Sequence, residues 1–148
     1  MKDEFNKIFS SRFLEVIERY LKDPTLQEIR IKANQPCILN LCNKEIVSDF
    51  IVSKEEIKYI LQRISNYSLY DYEEDIRQGY ITINGGHRVG LAGECVMEDG
   101  KVKTIKNITS LNIRICREII GCSRKVLKYI VSGGTVKNTL IISPPKCF

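Results

Sequence analysis

Tryptophan is absent from this chain, histidine occurs once, and proline occurs four times in 148 residues. The single histidine, His87, has no nucleophile or orienting acid paired with it in the sequence, so a nucleophilic triad has no foothold. It reads instead as a turn residue beside Gly85 and Gly86. Six cysteines are present, but no two form a C-x-x-C pair, which removes the usual zinc spacings. The expectation is reduced, mostly buried thiols in a reducing compartment. No apolar run approaches the length of a membrane span, and Met1-Lys2-Asp3-Glu4 lacks a signal-peptide core. A cytosolic start follows as the expectation. Internal repeats and low-complexity segments are missing as well.

Acidic residues almost vanish from the last third. Residues 1–100 hold 13 Lys/Arg against 17 Asp/Glu, whereas residues 101–148 hold 10 Lys/Arg against Glu118 alone. The formal net charge of +5 therefore hides an acidic first part and a strongly basic end. A segment so lopsided faces something anionic: nucleic acid, a nucleotide, an acidic membrane surface or an acidic partner. An acidic region elsewhere in a longer chain would balance it equally well.

What is present is ordinary for a globular domain, with 43% hydrophobic and 28% charged residues and enough length for one core. Between Asp3 and Leu21, Phe5, Ile8, Phe9, Phe13, Val16, Ile17 and Tyr20 recur at helical spacing. They predict one amphipathic helix ended by Asp23-Pro24. Gln27 to Ala33 alternates as a half-buried strand, and Cys37–Leu41 with Lys44–Val47 forms a hairpin around Cys42-Asn43. Ser53 and Glu56 make a capping box for a helix to about Asn66. An acidic helix is expected from Ser68 to Gln78, stopped by Gly79.

Strands then follow at Tyr80–Ile83 and His87–Met97, with a turn at Asn84-Gly85-Gly86. Glu98-Asp99-Gly100-Lys101 reverses the chain, and two more strands run over Val102–Ile108 and Leu111–Cys116. Gly90 and Gly93 suit a bulged or closely packed strand, since no helix follows them to make a phosphate cradle. A short basic helix spans Ser123–Val131. The pattern is α+β over residues 1–131, a linker at 132–138 through Ser132-Gly133-Gly134, and a last strand in 139–148.

That last segment reads Thr139-Leu140-Ile141-Ile142-Ser143-Pro144-Pro145. An apolar strand before a Gly-rich turn opens a phosphate-binding loop, whose backbone N–H groups and helix N-terminus hold phosphates. With Ser143 in the first position of G-x-x-x-x-G-K-[ST], Phe148 falls at the second Gly, and Lys146 stands two positions early for the lysine. The expectation is a chain that stops inside the loop and does not hydrolyse ATP alone.

Three blocks carry a family resemblance. They are Ser65 to Ile83 running into Gly85-Gly86-His87-Arg88-Val89-Gly90-Leu91-Ala92-Gly93, then Val102 to Ile115, then Arg117-Glu118-Ile119-Ile120-Gly121-Cys122. Together they closely resemble the stage III sporulation protein AA family of spore-forming Gram-positive bacteria, over nearly the whole chain. The resemblance implies an N-terminal α/β domain joined to a RecA-like core, as in the hexameric ATPases of type II and type IV secretion. In the family the Ile-Ile-Ser-Pro-Pro strand continues into a complete loop that uses ATP and Mg2+; this chain alone would hold no cofactor.

The resemblance further implies a mother-cell cytoplasmic protein, peripheral at the membrane, working with other stage III sporulation proteins to power a forespore channel. Hexamer formation is put in doubt by the incomplete loop. Arginines of such N-terminal domains reach phosphates across a cleft, because a guanidinium binds phosphate oxygens at two points and stays charged. Arg114 is the first candidate, then Arg88 and Arg117, with Ser143, Pro144 and Pro145 as the opening of the loop. The competing reading pairs these arginines with Glu73, Glu74 and Asp75. An alternative function, a basic nucleic-acid-binding module on the same fold, rests on charge asymmetry alone. Tyr67, Tyr70, Tyr72 and Tyr80 do not help it, because acidic neighbours would repel a phosphate backbone. They read as core and interface aromatics, and nucleic acid is not the expected partner.

Overall fold

A computed structural model describes residues 2–65 and 72–144, without the side chains of Lys2 and Asp3. Contacts divide the chain into two compact units, Met1–Cys116 and Arg117–Phe148. Residues 117–131, grouped with the first domain in the sequence, fall with the second unit by contact.

The first unit is a mixed α+β fold: one six-stranded antiparallel sheet with helices on one face. Helices α1 (Lys2–Ile8) and α2 (Ser11–Leu21) precede a meander of β1 (Leu26–Lys32), β2 (Pro36–Leu41) and β3 (Lys44–Ile51). Helices α3 (Lys54–Ile64) and α4 (Glu73–Gln78) lead to β4 (Tyr80–Thr82) and the long hairpin β5 (Arg88–Glu98) and β6 (Lys101–Arg114). The sheet order is β3-β2-β1-β6-β5-β4.

Every strand neighbouring the helices alternates. Ile29, Ile31, Leu39, Val89, Leu111 and Ile113 point into a core with Phe5, Phe13, Ile17, Ile57 and Ile60. The residues between them point away. Among the described residues of this unit, no helix covers that other face of the sheet.

The expected single N-terminal helix is two. Ser10 adopts an extended backbone (φ −68°, ψ 154°) and its Oγ accepts the Phe13 N–H at 3.2 Å, capping α2. The same hydroxyl donates to Glu56 Oε2 at 2.8 Å. Apolar periodicity continues through this break because both helices bury the same stripe. At α3 the Ser53 cap forms, its Oγ accepting the Glu56 N–H at 3.1 Å. The Glu56 carboxylate does not complete the box but reaches across to Ser10.

The expected strands Val102–Ile108 and Leu111–Cys116 are one continuous strand, β6. Asn107, at φ 48°, makes an irregularity opposite Gly93 without breaking the pairing. Of the acidic helix, Glu73–Gln78 is observed, with Gly79 left-handed at φ 83° as its stop; Ser68 to Asp71 lies outside the described residues. Asp99 (φ 50°) and Gly100 (φ 74°) form the two-residue type I′ turn that joins β5 and β6.

His87 is not a surface turn residue. It is 2% exposed and stacks on Phe5 with ring centroids 5.0 Å apart. Its Nδ1 accepts the Cys116 N–H at 2.9 Å, so the ring proton sits on Nε2, 3.5 Å from Glu4 Oε2. The thiols also depart from expectation. Among the described residues only Cys37 is buried, its pKa pushed up to about 12 by desolvation, while Cys42, Cys95, Cys116 and Cys122 are exposed on turns and outward-facing strand positions or in the second unit.

In the second unit, α5 (Arg124–Ile130) leads into a small hairpin of β7 (Val131–Ser132) and β8 (Thr135–Val136). Gly133 and Gly134, at φ 61° and 77°, supply its turn, so part of the expected linker is ordered. Thr139–Ile142, expected as a strand, carries no regular structure and is exposed. An apolar segment becomes a strand only where another strand bonds to it, and none among the described residues pairs with this one. No buried hydrophobic residue lies beyond Ile113 among the described residues. Deleting residues 135–148 is therefore expected to leave the melting temperature nearly unchanged and to improve solubility by removing Leu140, Ile141 and Ile142. Thermal unfolding of both forms checks this; a large loss of stability would make the tail part of the domain.

Candidate functional site

The open face of the sheet assembles two of the sequence candidates. Arg88 and Arg114 are direct Cα partners on β5 and β6. On the same rows Gly90 faces Asn112 and Ala92 faces Ser110. On the far side of β6, Glu28 faces Arg114 and Arg30 faces Asn112. On the outer side of β5, Tyr80 faces Gly90. These residues enclose a hollow of about 190 Å³ lined by Tyr80, Arg88, Gly90, Asn112 and Arg114. A broader groove of about 610 Å³ continues along the face past Arg30, Pro36, Ile38 and Val47 and shares Asn112.

The charges in this hollow are unevenly matched. Arg88 makes no ion pair among the described residues; its guanidinium lies over the Tyr80 ring, 5.4 Å from the centroid. Among the described residues Arg114 pairs only with Glu28, at 4.0 Å, and its side chain is 75% exposed. Glu28 is already engaged by Arg30 at 3.0 Å and by the Asn40 amide at 2.7 Å. Burial works to raise the Glu28 pKa, but hydrogen bonds from Asn112 and Asn40 and the Arg30 guanidinium outweigh it. They hold this carboxyl below the usual carboxylate range. Like charges directly opposite across two strands repel, so Arg88 and Arg114 form a cationic pair with most of one side open to an anion.

The described part of the acidic helix, Glu73–Gln78, takes no part in this. Arg77 pairs with Glu74 within α4 at 3.3 Å, and Arg114 turns to Glu28. Arg117 is the first residue of the second unit and does not belong to the sheet. Ser143 and Pro144 are exposed, the Ser143 Oγ donating to the Pro144 carbonyl at 3.2 Å, and Pro145 lies outside the described residues. Of the tyrosines, Tyr72 packs against the core and Tyr80 sits on the open face, while Tyr67 and Tyr70 lie outside the described residues.

Sequence reasoning missed Tyr80 as a site residue, together with Gly90, Asn112 and Glu28. Alternation alone puts Asn112 with Arg114 and Gly90 with Arg88; what it lacks is the pairing that brings the two strands into register.

A family model described as "Sporulation stage III, protein AA" matches residues 1–148. The Stage III sporulation protein AA of Bacillus subtilis (strain 168) is 38% identical over 146 residues, covering 99% of this chain and 44% of that protein. The chain thus spans less than half the length of the curated relative it matches. Among solved structures, the VirB11 ATPase from the Brucella suis type IV secretion system, crystallised with sulphate, is similar at a TM-score of 0.42 and 14% identity. That likeness covers 76% of this chain and 34% of the other.

Proposed function

We propose that this chain, which belongs to the sporulation stage III, protein AA family, is the N-terminal domain of a longer ATPase and lays Arg88 and Arg114 against a nucleotide's phosphates. The observation that carries this reading is the pair itself: two guanidinium groups opposite one another, one without an acidic partner among the described residues and the other sharing an engaged Glu28. A polyphosphate would relieve the repulsion and accept bidentate hydrogen bonds from both forks.

ATP with Mg2+ is the cofactor of this reading. Arg88 and Arg114 suit the phosphates, Arg117 is a third cation, and Ser143 to Pro145 open the loop. No Gly-Lys-Ser/Thr occurs in the 148 residues, so the groups that hold magnesium lie outside this sequence. The domain assembles or regulates a motor in the mother-cell cytoplasm, at the membrane face, which works with other stage III sporulation proteins at the forespore channel.

Calorimetry with ATP and magnesium tests this, on the chain alone and with a separately expressed ATPase core of the family. The expected result is binding too weak to fit for the chain alone and clear binding or hydrolysis with the core. Arg114→Ala should remove most of the gain, about tenfold in affinity for one charge-assisted hydrogen bond. A core that behaves identically with and without the chain overturns the reading.

A further inference from the structure

The buried ring of His87 sits where the chain leaves the sheet. Arg88 and Arg114 are the last Cα partners that β5 and β6 share at this end. The Ile115 N–H then donates to the Gln27 carbonyl oxygen at 2.8 Å, and the Cys116 N–H donates to His87 Nδ1 at 2.9 Å. Cys116 is the last residue of the first unit. The chain's exit is thus held by a side chain, one residue beyond the last amide held by backbone.

That side chain is walled in. Phe5 stacks on the ring, and the Glu4 carboxylate stands 3.5 Å from Nε2. Gly85 closes over both, since a Cβ there would lie 2.8 Å from Nε2 and 3.0 Å from each Glu4 oxygen. Glu4 is the charged group that faces the imidazole from α1. Its carboxyl is held below the usual carboxylate range, first by the amino terminus and also by His87, against a desolvation that works to raise it. Lys7 of α1, Arg63 of α3 and Tyr72 share a hollow with Glu4. The turn at Asn84-Gly85-Gly86 brings no titratable group, and the end of β6 brings the Cys116 thiol beside Gly86.

A neutral imidazole accepts at one nitrogen, whereas an imidazolium donates from both. Protonation therefore sets an N–H at Nδ1 against the Cys116 N–H, and one of the two must move. The ring is packed against Phe5 and Gly85, and Nε2–H faces Glu4 in either state. Ile115 stays bonded to Gln27. The exposed Cys116 is the freer side, so the chain parts from the fold there.

We infer that His87 is a proton-operated latch on the exit of the chain from the sheet: neutral, it holds Cys116 in place, and protonated, it lets that residue go. The latch is closed at neutral pH and opens on acidification. The strands that carry Arg88 and Arg114 remain paired in both states, because the release begins beyond Ile115.

The chain has one histidine, so its ring protons are read by NMR without ambiguity. The 148-residue chain is titrated from about pH 7.5 to about pH 4.5, a range that spans an ordinary histidine. Ring shifts are followed together with amide hydrogen exchange at Cys116 and at Ile113, each rate corrected for intrinsic exchange. Protection at Cys116 should fall at least about fivefold, the worth of one net hydrogen bond, with the same midpoint as the His87 ring. Ile113, buried on β6, should keep its protection.

His87→Asn places an amide oxygen that does not titrate near the position of Nδ1, and it should hold the Cys116 amide over the whole range. The measurement on the unaltered chain stands by itself if that variant does not fold. Cys116 protection unchanged while His87 titrates, or lost only together with Ile113, overturns the latch. So does a ring that does not titrate before the fold is lost, or a Cys116 amide that opens equally in a folded His87→Asn.

Discussion

Replacing Phe13 with alanine is expected to cost about 3–5 kcal/mol of stability, the range for truncating a fully buried aromatic ring. Phe13 is 0% exposed and lies within a row of rings. Its centroid is 4.9 Å from Phe9 edge-to-face and 5.2 Å from Phe50 on β3. Phe9 in turn stacks on Phe5 at 5.5 Å, and Phe5 on His87 at 5.0 Å. The row therefore ties both N-terminal helices to the edge strand β3 and to the residue that enters β5. Collapse into the space left by the ring is hindered, because the start of α2 is held by Ser10 on Glu56 of α3. Urea unfolding of the two proteins measures the difference, with an unchanged denaturant slope showing that the native fold is retained. A cost below about 1 kcal/mol would show that the helices repack freely and that the row is not a keystone of the core.

Much of this core was legible because apolar periodicity records which side of an element faces inward. Phe5, Ile8, Phe9, Phe13 and Ile17 were all marked by helical spacing, and the strand in Gln27 to Ala33 by alternation. The break at Ser10 was not legible, since the buried stripe runs through both helices without a change of phase. Only the hydroxyl of Ser10 and its distant partner Glu56 separate them, and a contact across 46 positions leaves no local signal. The continuity of β6 was hidden for the opposite reason. Asn107, Thr109 and Ser110 look like a turn, yet the pairing with β5 carries the chain straight through.

The candidate site was legible in its chemistry and not in its geometry. Arg88 and Arg114 stand out as guanidinium groups on neighbouring strands, and both lie on one face. Their direct apposition could not be read from the turn. An unbroken ladder from the Glu98–Lys101 pair would set Leu111, a core residue, opposite Arg88. The two irregularities in the β5–β6 pairing take up the difference and bring Arg114 there instead. Asn112 was invisible for the same reason, since its place opposite Gly90 follows only from that register.

The irregularity at Gly93 therefore sustains both fold and site, and Gly93→Ala is expected to be about as damaging as strong overpacking, roughly 3 kcal/mol. A Cβ there would lie 2.5 Å from the Lys106 carbonyl oxygen, 2.9 Å from Ile108 Cα and 3.1 Å from the Asn107 carbonyl oxygen. All three are backbone atoms, so no rotamer change can relieve the contact; the two strands must part. Gly90→Ala, three residues earlier on β5, meets only ordinary contacts and should be neutral or slightly stabilising, by up to about 1 kcal/mol. Thermal and urea unfolding of the two variants side by side isolates the close approach from the general effect of adding a methyl group to β5. Equal stability of the pair would mean that β5 and β6 separate at Gly93 without cost. In that case the apposition of Arg88 and Arg114 would need another support than the bulge.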